Sequence, residues 1–276
     1  MASILLHPAT RAQIEVLQSD LPQSLLISGQ VGVGLAIVAK HIATEVGALP
    51  QIVLPEKDEK VDLEKGVISV DSIRRLYAAT KTIENGKRVI IIDYAERMGA
   101  QAQNAFLKLL EEPGKNTYFM LLSHEPGRLL PTIRSRTQHF EVRPITKAQS
   151  EELLDSLKIF DEKKRTQLLF MATGLPAELT RLAADDAYFE KRSQVLKDAQ
   201  QFLKATPYER LVLAQAYKDD RAQALLLLDD AMKLLQRNIA GGRTDLIVKI
   251  DDLLKVYDRI AANGNVRLQL ASVMVQ

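Results

Sequence analysis

Short apolar runs alternate with segments of helical spacing through the first half of the chain. Three runs are typical of buried strands: 25–28 (LLIS), 88–93 (RVIIID) and 118–123 (YFMLLS). The second of these runs ends in a carboxylate, Asp93. Between them, apolar residues recur at helical spacing, notably over 36–46 and 104–112. Because strands that alternate with helices form parallel sheets covered on both faces, this order predicts a doubly wound α/β domain.

Beyond Pro144 the apolar spacing becomes helical throughout. Three short helices are predicted first and longer amphipathic ones after them: 147–157, 161–172 and 176–184, then 187–204, 206–217, 220–240, 244–262 and 265–275. Gly241-Gly242 and Asn263-Gly264-Asn265 separate the last of these. The predicted organisation is an α/β domain at 1–143, a small three-helix lid at 144–185 and an all-α domain at 186–276.

The segment 50–66 (PQIVLPEKDEKVDLEKG) is polar and contains two prolines. We interpret it as a solvated connection with room for one exposed short strand.

Composition removes several classes of function. The chain has 276 residues, and Lys plus Arg exceeds Asp plus Glu by 37 − 35 = 2, which gives no global attraction to nucleic acid or membrane. Cysteine is absent and the four histidines are scattered, so we expect no disulfide, no metal site and no thiol catalysis. The first residues lack the basic segment of a signal peptide, and no stretch approaches a membrane span. We expect a cytoplasmic protein.

The segment GQVGVGLA has the glycine spacing of a phosphate-binding loop, with Gly29, Gly32 and Gly34 in place. A working loop ends in Lys, which reaches the β- and γ-phosphates, and Ser or Thr, which ligates Mg²⁺. Leu35 and Ala36 occupy these two positions. The pattern indicates a nucleotidase scaffold that has lost nucleotide turnover, and no cofactor is expected.

Asp93 has the position of a Walker B aspartate, at the end of an apolar strand. The next residue, where hydrolytic enzymes usually carry Glu, is Tyr94, and a phenol is no base near neutral pH. Glu96 follows two residues later and is expected to point elsewhere. A strand that ends in Asp is weak evidence alone; with the altered loop it indicates an inactive nucleotide fold.

Two arginines, Arg134 and Arg136, lie close together after the third apolar run. Composition alone allows a solvated basic turn as readily as a site. A guanidinium at a domain edge could instead act on a neighbouring subunit's nucleotide. The helix 104–112 is followed by Pro113, and its spacing indicates core packing with a charged end.

Taken in order, these motifs resemble the delta-prime family of bacterial DNA polymerase III clamp-loader subunits. The resemblance runs over essentially the whole chain, through GQVGVGLA, VISVDSIRRLY, VIIIDYAERM, NAFLKLLEEPG, LLSHEPGRLLPTIRSRTQHF and NGNVRLQLASVM. It is most specific between Arg88 and Phe140. It implies an AAA+ fold, with a RecA-like parallel-sheet domain, a three-helix lid and a C-terminal helical domain that joins a pentameric collar.

The resemblance also implies a function. Such subunits are non-hydrolysing stators of a ring that loads the sliding clamp on primed DNA during replication. The implied partners are a gamma/tau-type ATPase and a delta-type subunit, reached through the C-terminal domain, with the clamp and primed DNA contacted by the complex as a whole. Many relatives carry a four-Cys zinc module where this chain has only 50–66, so zinc binding is not implied here.

Residue by residue, Ser135-Arg136 falls on the Ser-Arg of the family's SRC motif, with Thr137 where Cys is usual. Arg136, with Ser135, would be an arginine finger acting in trans, and Arg134 holds a variable position. The lid segment 174–178 (GLPAE) lacks the sensor arginine of active motors.

Two alternatives remain. One is an ATP-binding motor subunit of the same complex, against which the missing Lys, hydroxyl and Glu argue. The other is a DNA-binding or recombination accessory protein on an AAA+ scaffold, which the near-neutral charge does not favour.

Overall fold

The computed structural model describes residues 4–63, 65–80, 86–240 and 246–273. Its strands are β1 (Ser24–Ser28), β2 (Pro50–Val53), β3 (Glu56–Lys57), β4 (Lys60–Val61), β5 (Arg88–Ile92), β6 (Thr117–Ser123) and β7 (Gln138–Glu141). Its helices are α1 (Pro8–Ser19), α2 (Leu35–Glu45), α3 (Val70–Thr80), α4 (Ala100–Glu111), α5 (Pro131–Arg134), α6 (Lys147–Ser156), α7 (Glu162–Ala172), α8 (Pro176–Ala184), α9 (Asp186–Lys204), α10 (Pro207–Tyr217), α11 (Arg221–Ala240), α12 (Ile247–Ala261) and α13 (Val266–Ala271).

The chain divides into two compact units, Met1–Thr180 and Arg181–Gln276. The first contains the sheet, and the second is helical. The predicted parallel-sheet α/β domain followed by helices is confirmed. The finer division at 143 and 185 stays a prediction.

Five strands form one parallel sheet in the order β2-β5-β6-β1-β7. In the register of β1 and β6, Ser28 lies opposite Ser123, and Ile92 of β5 lies opposite Leu121. The carboxyl ends of the three central strands therefore lie at one edge of the sheet, where α/β proteins of this kind place their sites.

Apolar side chains cover both faces of the sheet. One face packs on α1 and α2 through alternate strand residues, among them Leu25, Ile27 and Met120. The other face packs on α3, α4 and α5. There the rings of Phe106 and Phe119 meet edge to face, with centroids 5.3 Å apart. Burial on two faces explains why these strands read as continuous apolar runs.

Segment 50–66 contains the one exposed short strand for which the interpretation left room, together with a hairpin that it did not include. Residues 50–53 form β2, an edge strand that pairs with β5 of the main sheet, and β3 and β4 form a small antiparallel hairpin. Gln51 and Ile52 of β2 are exposed, as expected for a short strand at the edge of a sheet. Three further elements, α1, α5 and β7, were not predicted.

The second unit has its own core, formed by α9 to α13. The helices predicted from 187 onwards are confirmed to within a few residues, and Gly241-Gly242 lies outside the described residues. Inside this core Arg192 and Asp230, both buried, form a two-point ion pair. Within the described ranges, no helix combines the length and apolarity needed to cross a membrane.

Candidate functional site: a closed phosphate-binding loop and an exposed arginine

The glycine loop joins β1 to α2, as the sequence predicts. Gly32 and Gly34 have φ of +87° and +92°, in the left-handed region that favours glycine, and Gly34 is the N-cap of α2. At Gly29 a Cβ would come within 2.8 Å of the carbonyl oxygen of Val142. The loop has thus kept the backbone shape for which its glycines are needed.

The two positions that would do nucleotide chemistry are apolar and packed inward. Leu35 is only 3% exposed and belongs to the core beneath the loop, and Ala36 packs against the same core. A lysine at position 35 would have to leave this core to meet a phosphate. The residues present therefore do not fit Mg²⁺ and a nucleotide triphosphate in the usual way.

Helix α8 closes the loop from the other side. The backbone N–H groups of Ala177 and Glu178 both donate to the carbonyl oxygen of Gly32, at 3.0 and 3.2 Å. The first turn of a helix has N–H groups without intrahelical partners, so this contact satisfies donors that a bound anion could otherwise take. Leu175, just before α8, packs on the same core as Leu35.

His124 ties the loop to the next strand. It directly follows β6, and its Nδ1 lies 2.8 Å from the carbonyl oxygen of Gly29. Since a carbonyl only accepts, Nδ1 carries the proton and donates. His124 was not among the predicted site residues. Its one sequence signal is its position after a buried strand, which becomes informative only once the register with β1 is known.

Asp93 lies at the same edge, directly after β5. Its Oδ1 accepts the N–H of Tyr94 at 3.0 Å. Burial raises the pKa of Asp93 above its ordinary value of 3.8, and Glu96 adds to the rise, while the Tyr94 hydrogen bond, His124 and Lys40 oppose it. Burial outweighs the compensating contacts, so the ionised form is held at a cost.

His124 and Arg97 contact the ring of Tyr94, the residue after Asp93. The centroids of the Tyr94 and His124 rings are 5.7 Å apart, and the Arg97 guanidinium lies 5.0 Å from the centroid of the Tyr94 ring. The backbone of Tyr94 has a φ of +53°. Glu96 does not point away from the site as expected. It is buried, and its Oε1 accepts the N–H of His124 at 3.3 Å.

Arg136 lies just beyond α5, and its contacts are with α4 and α5. Its Nη1 donates to the carbonyl oxygen of Thr132 at 3.1 Å, and its Nη2 lies 2.9 Å from Oε1 of Glu111. The side chain remains 40% exposed. Ser135 donates its hydroxyl to the carbonyl oxygen of Thr132, which places it in the turn that carries Arg136.

A buried glutamine fixes the segment that carries Arg136. Gln103 of α4 donates to the carbonyl oxygens of Met98 and Arg128, and its Oε1 accepts the N–H of Leu130 at 2.7 Å. Leu130 is the N-cap of α5. The position of Arg136 is therefore determined by the core of the domain.

Comparison with known proteins identifies relatives of this chain. Residues 48–146 match the protein family described as DNA polymerase III, delta subunit. The chain is 31% identical over 206 residues to the DNA polymerase III subunit delta' of Pseudomonas aeruginosa, covering 65% of this chain and 61% of that one. It is 36% identical over 115 residues to the subunit of the same name from Bacillus subtilis, covering 42% and 34%.

This chain is a relative of the DNA polymerase III delta' subunits. The aligned segments span about three fifths and one third of these two relatives. A DNA polymerase III gamma subunit-related protein from Thermotoga maritima has a similar solved structure, with a TM-score of 0.52 over 96% of each chain at 20% identity. That likeness agrees with the fold described above, a parallel-sheet α/β unit followed by helices.

In this delta' relative, the parallel sheet brings together the loop, Asp93 and His124 at one edge. Arg136 and Ser135 form a separate feature at the end of α5. Among the residues that the structure describes, no group of three or more potential metal ligands occurs.

Replacing Gly32 by Ala tests the contact between the loop and α8. A Cβ at Gly32 would lie 2.8 Å from Cβ of Glu178, whereas one at Gly47, whose φ is +75°, would have nothing within 4 Å. Gly47→Ala should therefore lose only the left-handed strain of about 1–2 kcal/mol. Gly32→Ala should lose about 1–3 kcal/mol more from overpacking. Urea unfolding of the two variants measures the difference, and equal losses would show that α8 does not press on Gly32.

Replacing Asp93 by Asn tests the cost of its buried charge. Because the folded-state pKa of Asp93 is raised, the charge destabilises the fold above that pKa, and the cost disappears as pH falls below 3.8. Asp93→Asn should be more stable than the natural protein near neutral pH, and the difference should shrink as the pH is lowered. Unfolding by urea across this pH range measures it, with Asp219→Asn, at an exposed carboxylate, as the control. A difference that grows on acidification would contradict this.

Proposed function

We propose that this chain is a non-hydrolysing subunit of a DNA polymerase III clamp loader, in which it supplies Arg136 to the ATP site of a neighbouring subunit. The complex would load the sliding clamp on primed DNA during replication. The named relatives support membership of such a complex. Three structural features support the role within it.

The altered loop is the observation that carries the proposal. Leu35 lies in the core and Ala36 packs against the same core, so the two positions that would bind phosphate and Mg²⁺ carry apolar side chains turned inward. With no lysine at 35, no hydroxyl at 36 and Tyr94 after Asp93, the chain has neither the phosphate ligands nor the base that turnover needs. These observations favour a stator over an ATP-binding motor subunit.

Arg136 is suited to a role in trans. Its guanidinium is fixed at one end of the domain and partly exposed, so that N–H donors remain for an anion outside the chain. A planar guanidinium binds phosphate oxygens in pairs, which an ammonium cannot do. This supports the assignment of Arg136, with Ser135 in its turn, as the arginine finger.

The helical unit presents apolar surface for partners. Tyr208, Leu211 and Val212 are exposed at i, i+3 and i+4 on α10, and Ile247, Val248 and Leu254 are exposed on α12. Apolar side chains grouped on helix faces are typical of protein interfaces. They support contact with gamma/tau-type and delta-type subunits through the C-terminal domain.

The isolated chain should hydrolyse no ATP above background, because phosphate ligands and base are missing. Leu35→Lys with Ala36→Thr should recover weak nucleotide binding at most, since Leu35 is needed in the core and Tyr94 remains. Steady-state phosphate release and equilibrium binding of labelled ATP measure the two properties. Turnover by the natural chain that Asp93→Ala abolishes would contradict the proposal.

Arg136→Ala should impair the assembled complex while leaving the isolated chain intact. The chain should lose less than about 1 kcal/mol of stability, because the Arg136–Glu111 pair is half exposed. In a complex reconstituted with gamma/tau-type and delta-type subunits, ATP hydrolysis stimulated by clamp and primed DNA should fall about three- to tenfold. This loss is smaller than the rate effect of an arginine finger at one ATP site, because the other ATP sites of the ring keep their arginine fingers.

Two further variants sharpen this experiment. Arg136→Lys should restore little activity, since the ammonium loses the planar fork. Arg134→Ala should behave like the natural protein. If only Arg134→Ala is impaired, the arginine finger is Arg134 and not Arg136. Normal hydrolysis in all three variants would rule out an arginine finger in this segment.

A further inference from the structure

Glu111 is the partner that holds the guanidinium of Arg136. It is the last residue of α4 and belongs to the LLEEP segment, to which sequence reasoning assigned only core packing. Its Oε1 lies 2.9 Å from Nη2 of Arg136, and both side chains are near half exposure, 53% for Glu111 and 40% for Arg136. The contact joins two motifs that are 25 residues apart along the chain.

Stability does not account for a carboxylate at this position. The end of a helix carries partial negative charge, so a glutamate in the last turn of α4 is unfavourable for the helix itself. An ion pair as exposed as this one contributes little to folding. What the pair does supply is orientation, because a long side chain on the surface otherwise samples many rotamers.

Two anchors from two elements define the orientation of the guanidinium. Nη1 is held by the carbonyl oxygen of Thr132 in α5, and Nη2 by Glu111 in α4. One hydrogen bond and one ion pair, made by different nitrogens, orient the group, while its five N–H donors leave others for an external anion. An arginine oriented in advance loses less conformational freedom when it meets a phosphate.

We propose that Glu111 is a positioning residue for Arg136, an inference that rests on the proposed function of Arg136. Glu111 acts through the arginine and does not touch the nucleotide. Its loss leaves the positive charge in place and releases the guanidinium from one of its two anchors.

The test is a double-mutant cycle in the reconstituted complex, with clamp and primed DNA present. The variants are Glu111→Gln, Arg136→Ala and the two combined, and Glu112→Gln serves as a control at the exposed neighbour. Glu111→Gln should lower kcat about two- to threefold with KM for ATP nearly unchanged, as expected when an interaction is made only in the transition state. The combined variant should be no slower than Arg136→Ala, and Glu112→Gln should match the natural protein.

The outcomes separate this inference from the function on which it rests. If Arg136→Ala is impaired and Glu111→Gln is not, Glu111 is not a positioning residue but the finger stands. If the two losses multiply in the combined variant, Glu111 acts elsewhere and the inference fails. If Arg136→Ala hydrolyses ATP normally, both proposals fail. Thermal unfolding of each isolated chain, with midpoints within about 2 °C of the natural protein, excludes misfolding as the cause.

Discussion

Parallel pairing of β1 with β6 determines where every part of the closed site lies. Ser28 and Ser123 are opposite each other in this register, so the residues that follow them, Gly29 and His124, emerge side by side. The hydrogen bond from the His124 ring to the Gly29 carbonyl follows directly from that register. Pairing of β5 with β6 brings Asp93 to the same edge. Backbone hydrogen bonds between strands set these positions, and a slip of one residue in either pair would turn the side chains of the slipped strand to the opposite face.

The candidate site makes its contacts within the protein. Leu35 packs into the core where a lysine would reach outwards, and the first turn of α8 uses its N–H groups on Gly32. Burial raises the pKa of the Asp93 carboxyl group, so its ionised form is unfavourable. Its Oδ1 nevertheless accepts the backbone N–H of Tyr94, a residue in the left-handed conformation. The carboxylate has therefore kept a structural role in the turn that leads to α4.

Sequence reasoning recovered what burial and backbone conformation impose on residue choice. The central strands are apolar because both faces are covered, and the loop keeps its glycines because two of them adopt positive φ. It left room for β2 as an exposed short strand but did not predict that this strand pairs with β5 in the main sheet. It also missed His124 and the contact of Glu111 with Arg136. Each of these contacts joins residues that are far apart in sequence and meet only in the folded chain. The apolar periodicity of one segment cannot predict such a contact.

Helix α4 connects the two candidate sites of the first unit. It begins a few residues after Asp93 and Glu96, and its last residue, Glu111, pairs with Arg136; at 1.5 Å per residue its twelve residues span about 18 Å. Phe106 packs α4 on the sheet, and Gln103 bonds it to the segment that leads into α5. Leu35 and Ala36 stand at the loop positions that would bind phosphate and Mg²⁺, so this chain lacks the side chains through which a nucleotide of its own could act on α4. On the proposal that Arg136 serves a neighbour's ATP, α4 and α5 hold its guanidinium through Glu111 and Thr132, and the arginine is positioned without any nucleotide bound to this chain.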